Sequence, residues 1–369
     1  MERGQGPLTC PTPPTGEFPV EEFRTCLLEW YNAYKKRHLW RLLWAEHRNP
    51  YHIWVSEIML QQTVIAAMLP VYERFLERFP TVQSVADSTE DELKKTVKGL
   101  GYYRRFALLR KGAQKIVEAS PPLAVRWPRN YEEWLQIPGV GDYTAAAMSS
   151  ITCNEAAPVL DGNVIRVLAR IFDQRMPAND RSVGTFLKLK SRALIDPFHP
   201  GDFNQGMMEI GQTICRPLQP SCHVCPLQNV CLASSRESTH LAPLPKVRKA
   251  AVPVKLRVNI IEQAGLIGLF PRGQGAKFLR GTQGFPLSLR KTEGYSLDGY
   301  EARLAEGKPL GTFRHHITQH KIEAEVCLLN GSGSQANVPG IRWVEKSQVS
   351  DNLMSSLDLK AWRIAHDHL

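Results

Sequence analysis

Apolar positions follow two periods along the chain, and the change from one to the other divides it. From residue 20 to about 233 they recur every three to four residues, the spacing of one buried face of a helix. Phe23, Leu27, Leu28, Trp30, Tyr31 and Tyr34 keep that spacing, as do Val71, Tyr72, Phe75, Leu76 and Phe79. Phe79-Pro80, Ser120-Pro121-Pro122 and residues 197–201 predict connections between helices. After residue 251 the period is two. Val252, Val254, Leu256, Val258 and Ile260 alternate with polar residues, and so do Ile322, Ala324, Val326 and Leu328, which predicts half-buried strands. Short helices are expected over residues 346–357 and 359–368. The pattern predicts a mainly α region over residues 17–233 and a separate α+β domain over 252–369. Residues 234–251, with Pro243, Pro245, Lys246, Arg248 and Lys249 and no periodicity, read as a basic linker. Residues 1–16, rich in Pro, Thr and Gly, read as a disordered tail.

Composition narrows the function. A chain of 369 residues with 43% hydrophobic content is long enough for two cores. Its net charge of +10 favours a polyanionic partner. No apolar run approaches the length of a spanning helix and the N-terminus has no apolar signal region, so a membrane or secreted protein is not expected. The balance points to nucleic acid in a cytosolic or nuclear setting, nuclear in a eukaryote. Four of the eight cysteines, Cys215, Cys222, Cys225 and Cys231, crowd into one short stretch, which suggests metal or cluster ligation rather than disulfides.

Two stretches carry chemistry. Residues 135–163 open with Leu135-Gln136-Ile137-Pro138-Gly139-Val140-Gly141-Asp142-Tyr143-Thr144-Ala145 and end with Leu160-Asp161-Gly162-Asn163. Pro138 stops a preceding helix, and Gly139 and Gly141 permit a hairpin that feeds a new helix from Tyr143 onward. Such a hairpin is either a phosphate cradle at a helix N-terminus or a plain packing element with Asp161 as the N-cap of the next helix. The cysteines, spaced Cys-x6-Cys-x2-Cys-x5-Cys, form one tight loop rather than the paired knuckles of a zinc ribbon. That spacing suits a [4Fe–4S] cluster better than zinc.

Together the glycine hairpin and the cysteine loop resemble the helix-hairpin-helix DNA glycosylases with an iron–sulfur loop, the group of endonuclease III and the adenine DNA glycosylases. The resemblance implies a six-helix barrel and an iron–sulfur subdomain flanking a cleft, with the cluster shaping a DNA-binding surface apart from the chemistry. Within that group, Tyr51-His52-Ile53-Trp54-Val55-Ser56-Glu57-Ile58-Met59-Leu60-Gln61-Gln62-Thr63 resembles the adenine glycosylases of the MutY type. On a helix Glu57 would have Ile53, Trp54 and Leu60 as neighbours, and desolvation favours a protonated carboxyl able to act as general acid. The resemblance implies that Glu57 protonates adenine and that Leu60, Gln61 and Gln62 enter the duplex. Asp161 would stabilise the oxocarbenium-like sugar or attack it, with Tyr143 and Asn163 holding the pair. Gly99-Leu100-Gly101-Tyr102-Tyr103 matches a wedge loop, which assigns Tyr102 beside the lesion partner. Gln205 matches a position that reads adenine. Bifunctional relatives carry a lysine where this chain has Tyr143, so base release without strand cleavage is expected.

The resemblance further implies a Nudix-like C-terminal domain reading 8-oxoguanine opposite the adenine, and no nucleotide-hydrolase box is present. Here Thr318 keeps the hydroxyl of the recognition loop, while Ile317 and Gln319 depart from the family pattern. Leu43 and Ala45 depart from it in the N-terminal region. The leading expectation is a monomeric, base-flipping adenine glycosylase acting on duplex DNA with adenine opposite 8-oxoguanine or guanine. A glycosylase with another mismatch preference, an endonuclease III-type lyase, and a non-catalytic iron–sulfur DNA-binding protein stay as alternatives.

Overall fold

The computed structural model describes residues 18–37, 49–121, 124–245, 250–273, 275–291, 294–298, 307–331 and 340–369. The expected tail, Leu43, Ala45 and the basic residues Lys246, Arg248 and Lys249 lie outside these residues. The chain divides into two compact units, Met1–Val247 and Arg248–Leu369.

The described first unit is helical: α1 (Val20–Lys35), α2 (Pro50–Leu60), α3 (Ile65–Arg78), α4 (Val82–Asp87), α5 (Glu90–Thr96), α6 (Arg104–Glu118), α7 (Tyr131–Leu135), α8 (Asp142–Cys153), α9 (Gly162–Ile171), α10 (Arg181–Leu194) and α11 (Pro200–Glu209), with a π-helical turn at Ile210–Ile214. Helix α2 starts where Asn49 caps Tyr51 N and Pro50 takes the first position, where its missing N–H costs nothing. Apolar on nearly all sides, it runs through the middle of the core. Trp54, Trp127 and Trp134 pack edge and face with centroids 6.1–6.3 Å apart. One contiguous core holds Phe23, Trp54, Phe75, Phe106, Trp134 and Leu168, each such side chain contributing roughly 1.5–3 kcal/mol on burial.

Two expectations about connections change. Pro200 and Gly201 open α11 rather than joining helices, and a Cβ on Gly201 would meet Ser150 O of α8 at 2.9 Å. Residues 234–245, read as part of the linker, are tied to the first unit. Buried Arg170 donates from Nε to Thr239 O and Ala242 O, both at 3.0 Å, and Leu244 bridges to Pro177. A segment without periodicity can still be ordered by a partner that satisfies its carbonyls.

In the second unit the expected alternation places β1 (Val252–Gln263) and β7 (His320–Asn330) side by side, in parallel, from Val252↔His320 to Glu262↔Asn330. β1 also pairs with β2 (Leu266–Pro271) and β4 (Leu287–Lys291), β2 pairs with the short β3 (Gln283–Gly284), β4 with β5 (Gly294–Leu297), and β6 (Lys308–Ile317) forms a hairpin with β7. Leu256, Val258, Ile260, Ile322, Ala324 and Val326 share the face that packs on helix Ser356–His366. That helix starts at a Ser355 N-cap, where the sequence pattern placed two helices meeting near residue 358; the earlier segment is only a turn of 3-10 helix and Val349–Asn352. Buried Arg272 pairs with buried Asp358 at 2.7 Å. Among the described residues no helix is long and apolar enough to cross a membrane.

Candidate active site

The turn after α2, the start of α8, the start of α9 and the π-helical turn converge on a cavity of about 470 Å³, within the roughly 300–1,000 Å³ range of small-ligand sites. Of the residues singled out from the sequence, Glu57, Leu60, Gln61, Gln62, Tyr143, Asp161 and Asn163 line it. Glu57 is 2% exposed, placed there because its helix is buried all round. Tyr143 Oη donates to Glu57 Oε2 at 2.9 Å and lies 3.1 Å from Met208 Sδ.

Asp161 is an N-cap and a lining residue at once. Its Oδ1 accepts from Val164 N at 2.7 Å and its Oδ2 from Asn163 Nδ2 at 2.9 Å. Asn163 is fixed in turn by Arg166, whose Nη2 donates to Asn163 Oδ1 at 2.9 Å and Gly211 O at 2.6 Å, and whose Nε donates to Cys215 O at 2.8 Å. Gly211 lets the π-helical turn approach this closely, since a Cβ there would sit 2.7 Å from Asn163 Cβ.

Around the cavity lie two unusual loops. Gln62, on the turn, has φ 59° and Tyr102, 48% exposed, has φ 46°, left-handed conformations uncommon for such residues. Gly139 has φ 84° and abuts Leu108, while Gly141 is the N-cap of α8 with no side-chain cap, leaving helix N–H groups for an outside acceptor. The structure does not bring Gln205 to the cavity. Its amide is buried and Nε2 donates to Gly201 O at 3.2 Å, one turn back along its own helix. Met208 and Gln212, which were not singled out for a site role, line the cavity instead. Gln212 sits in the π-helical turn, so a regular helical spacing does not single it out. Val64, 71% exposed, stands at the rim. Thr318 belongs to the second unit, exposed at the tip of the β6–β7 hairpin with φ 52°.

Cys215, Cys222, Cys225 and Cys231 line a separate, largely apolar cavity with Arg170, whose Nη1 donates to Cys215 Sγ at 3.2 Å. Burial and neighbouring sulfurs push the Cys225 thiol up to about 12 and Cys231 to about 11, and raise Cys222. Three thiols raised in this way stay protonated unless a cationic group lies among them. Among the described residues no three His, Cys, Asp or Glu side chains converge on a single-ion site. Four sulfurs gathered around one small cavity form a donor set of the soft kind that binds a metal ion or an iron–sulfur group.

Several known proteins are similar to this chain. A family model described as HhH-GPD superfamily base excision DNA repair protein matches residues 55–186. The chain is 40% identical over 232 residues to the adenine DNA glycosylase of Mus musculus, covering 61% of this chain and 44% of that protein. It is 34% identical over 239 residues to the adenine DNA glycosylase of Buchnera aphidicola subsp. Acyrthosiphon pisum, covering 65% and 66%. A solved thermostable thymine-DNA glycosylase superposes with a TM-score of 0.51 at 26% identity, covering 59% of this chain and 97% of that one. The chain therefore spans less than half the length of the mouse relative it matches.

Proposed function

Since the chain belongs to the HhH-GPD superfamily of base excision DNA repair proteins, we propose that it is a monofunctional glycosylase. Its substrate is adenine opposite 8-oxoguanine or guanine in duplex DNA, and it acts as a monomer. One observation carries the reading: two carboxylates, Glu57 and Asp161, line the same cavity, each hydrogen-bonded by a neutral side chain of its own. Breaking a glycosidic bond calls for one carboxyl to protonate the leaving group and another to balance the cationic sugar. Buried Glu57 delivers the proton to a ring nitrogen of the extrahelical adenine, with Tyr143 fixing its orientation. Asp161, held by Asn163 and the N-terminus of α9, faces the positive charge that develops on the sugar, and water completes the hydrolysis.

The base reaches the cavity by leaving the stack. Leu60, Gln61 and Gln62 enter the duplex from the rim, Tyr102 wedges beside the partner base, and the Gly139–Gly141 hairpin receives a backbone phosphate. Thr318 contacts 8-oxoguanine from the C-terminal domain. Cys215, Cys222, Cys225 and Cys231 would hold a [4Fe–4S] cluster, which would cross-link the loop between them and supply no step of the hydrolysis. Among the described residues lining the active-site cavity there is no amine, which supports base release without a Schiff base.

The test is single-turnover release from duplexes with adenine opposite 8-oxoguanine, guanine, cytosine or thymine, with strand breaks scored before and after alkali. Fast release opposite 8-oxoguanine, with breaks only after alkali, is expected. Glu57→Gln and Asp161→Asn each abolish release while duplex binding persists; efficient excision by either variant refutes the two-carboxylate mechanism.

A further inference from the structure

Arg105, at the start of α6, is 2% exposed and absent from the cavity lining. Its guanidinium spans two loops that are far apart in sequence. Nη1 donates to Met59 O at 2.9 Å and to Gln61 O, and Nη2 donates to Thr63 Oγ1 at 2.8 Å and to Leu100 O at 3.2 Å. The fork also lies over the rings of Phe106 and Tyr102, 4.9 and 6.0 Å from their centroids. All four acceptors are neutral, so among the described residues the buried cation is compensated by dipoles and ring faces, an arrangement with a desolvation cost. What that cost secures is geometric. A planar fork fixes several acceptors at once, which a lysine cannot. The two loops it joins contain the left-handed residues Gln62 and Tyr102, and strained conformations persist where the surroundings over-determine them.

We propose that Arg105 is a positioning residue that locks the Leu60-to-Thr63 turn to the Gly99-to-Tyr102 loop, so that both enter a duplex as one rigid wedge. The inference rests on the glycosylase reading for its substrate but concerns base extrusion, a step that is read without any bond being broken. An unlocked wedge extrudes a paired base poorly and handles an unpaired one almost normally, because unpairing is then already done.

The experiment uses Arg105→Lys, Arg105→Met and Thr63→Val in the full chain. Fluorescence of 2-aminopurine at the target position reports unstacking, and single-turnover release is measured with adenine opposite 8-oxoguanine and opposite an abasic site. Thermal unfolding is followed in parallel. Arg105→Lys should lose most of the fluorescence rise and slow release from the paired substrate by about tenfold or more, as expected for loosened positioning. Release opposite the abasic site should stay within about threefold of the parent enzyme, since little extrusion energy is needed there. Thr63→Val should lie between, and it keeps the test open if Arg105→Met fails to fold. Equal slowing on both substrates, or a full fluorescence rise in Arg105→Lys, overturns the proposal, as does a parent protein that produces no rise. A parent that unstacks the base without releasing it counts against the glycosylase reading alone.

Discussion

Replacing Gly211 by alanine adds one methyl group at the closest approach in the active site. The new Cβ would lie 2.7 Å from Asn163 Cβ and 3.1 Å from both the carbonyl carbon and oxygen of Asn163. Carbon atoms pack best at about 3.5–4.0 Å, so the two backbones must part by roughly 1 Å. They have little room to do so. Arg166 Nη2 holds both partners, donating to Gly211 O and Asn163 Oδ1, and Asn163 is itself bonded to Asp161 at 2.9 Å. Overpacking of this kind costs about 1–3 kcal/mol, and a carboxylate displaced by about 1 Å lowers the rate up to a hundredfold. Gly184→Ala on exposed α10 is the matched control, because nothing lies within 4 Å of a Cβ there; it should be neutral or add up to about 1 kcal/mol of stability. Single-turnover adenine release and thermal unfolding are measured for both variants. Slow release by Gly211→Ala with parental release by Gly184→Ala is the expected pair. If Gly211→Ala releases adenine within about twofold of the parent, the claim that Asn163 must hold Asp161 in place fails.

Three further outcomes are expected. Tyr143→Phe removes the hydroxyl donated to Glu57; losing a partner of a buried polar group costs about 1–3 kcal/mol, so release slows while iron content stays parental, and an unchanged rate argues against orientation by Tyr143. Cys225→Ser should give protein with little iron and weak visible absorbance, whereas full colour and iron in that variant would remove Cys225 from the ligand set. Asp358→Asn breaks the buried pair with Arg272, at a cost of about 3–5 kcal/mol. Hydrogen exchange should then accelerate in β1 and β7 but not in α2 or α8; uniform protection would show that the pair contributes little.

Much of the site was legible because its residues carry local signals. Asp161 precedes a strongly periodic segment and so reads as an N-cap, and that role is also what brings it to the cavity. Glu57 stands out as the charge in an apolar run, and the run is buried as a whole. Tertiary detail was less visible. Gln205 faces its own helix while Met208 and Gln212 take cavity positions, partly through a π-helical turn, which periodicity templates built on 3.6 residues do not contain. The anchoring of residues 234–245 depends on Arg170, a single side chain far away in sequence, and composition alone gave those residues a linker's signature. Arg105 was equally hidden, because an arginine at a helix start carries no local sign of burial, and only the fold places it between two loops.

The parallel pairing of β1 with β7 also sets an order of assembly during synthesis. Paired residues of the two strands lie 68 positions apart, so the central ladder of the second unit cannot begin until His320 has left the ribosome. Pairings between distant segments fold slowly because the intervening chain must be closed first. The helical unit, complete in sequence by Val247, is free to collapse in the meantime. Until β7 emerges, the edge of β1 opposite β2 and β4 has unpaired backbone, and Leu256, Val258 and Ile260 lack the helix that covers them, the kind of exposed edge that invites pairing with another chain. A nascent chain stalled ahead of His320 is therefore the form of this protein most in need of a chaperone.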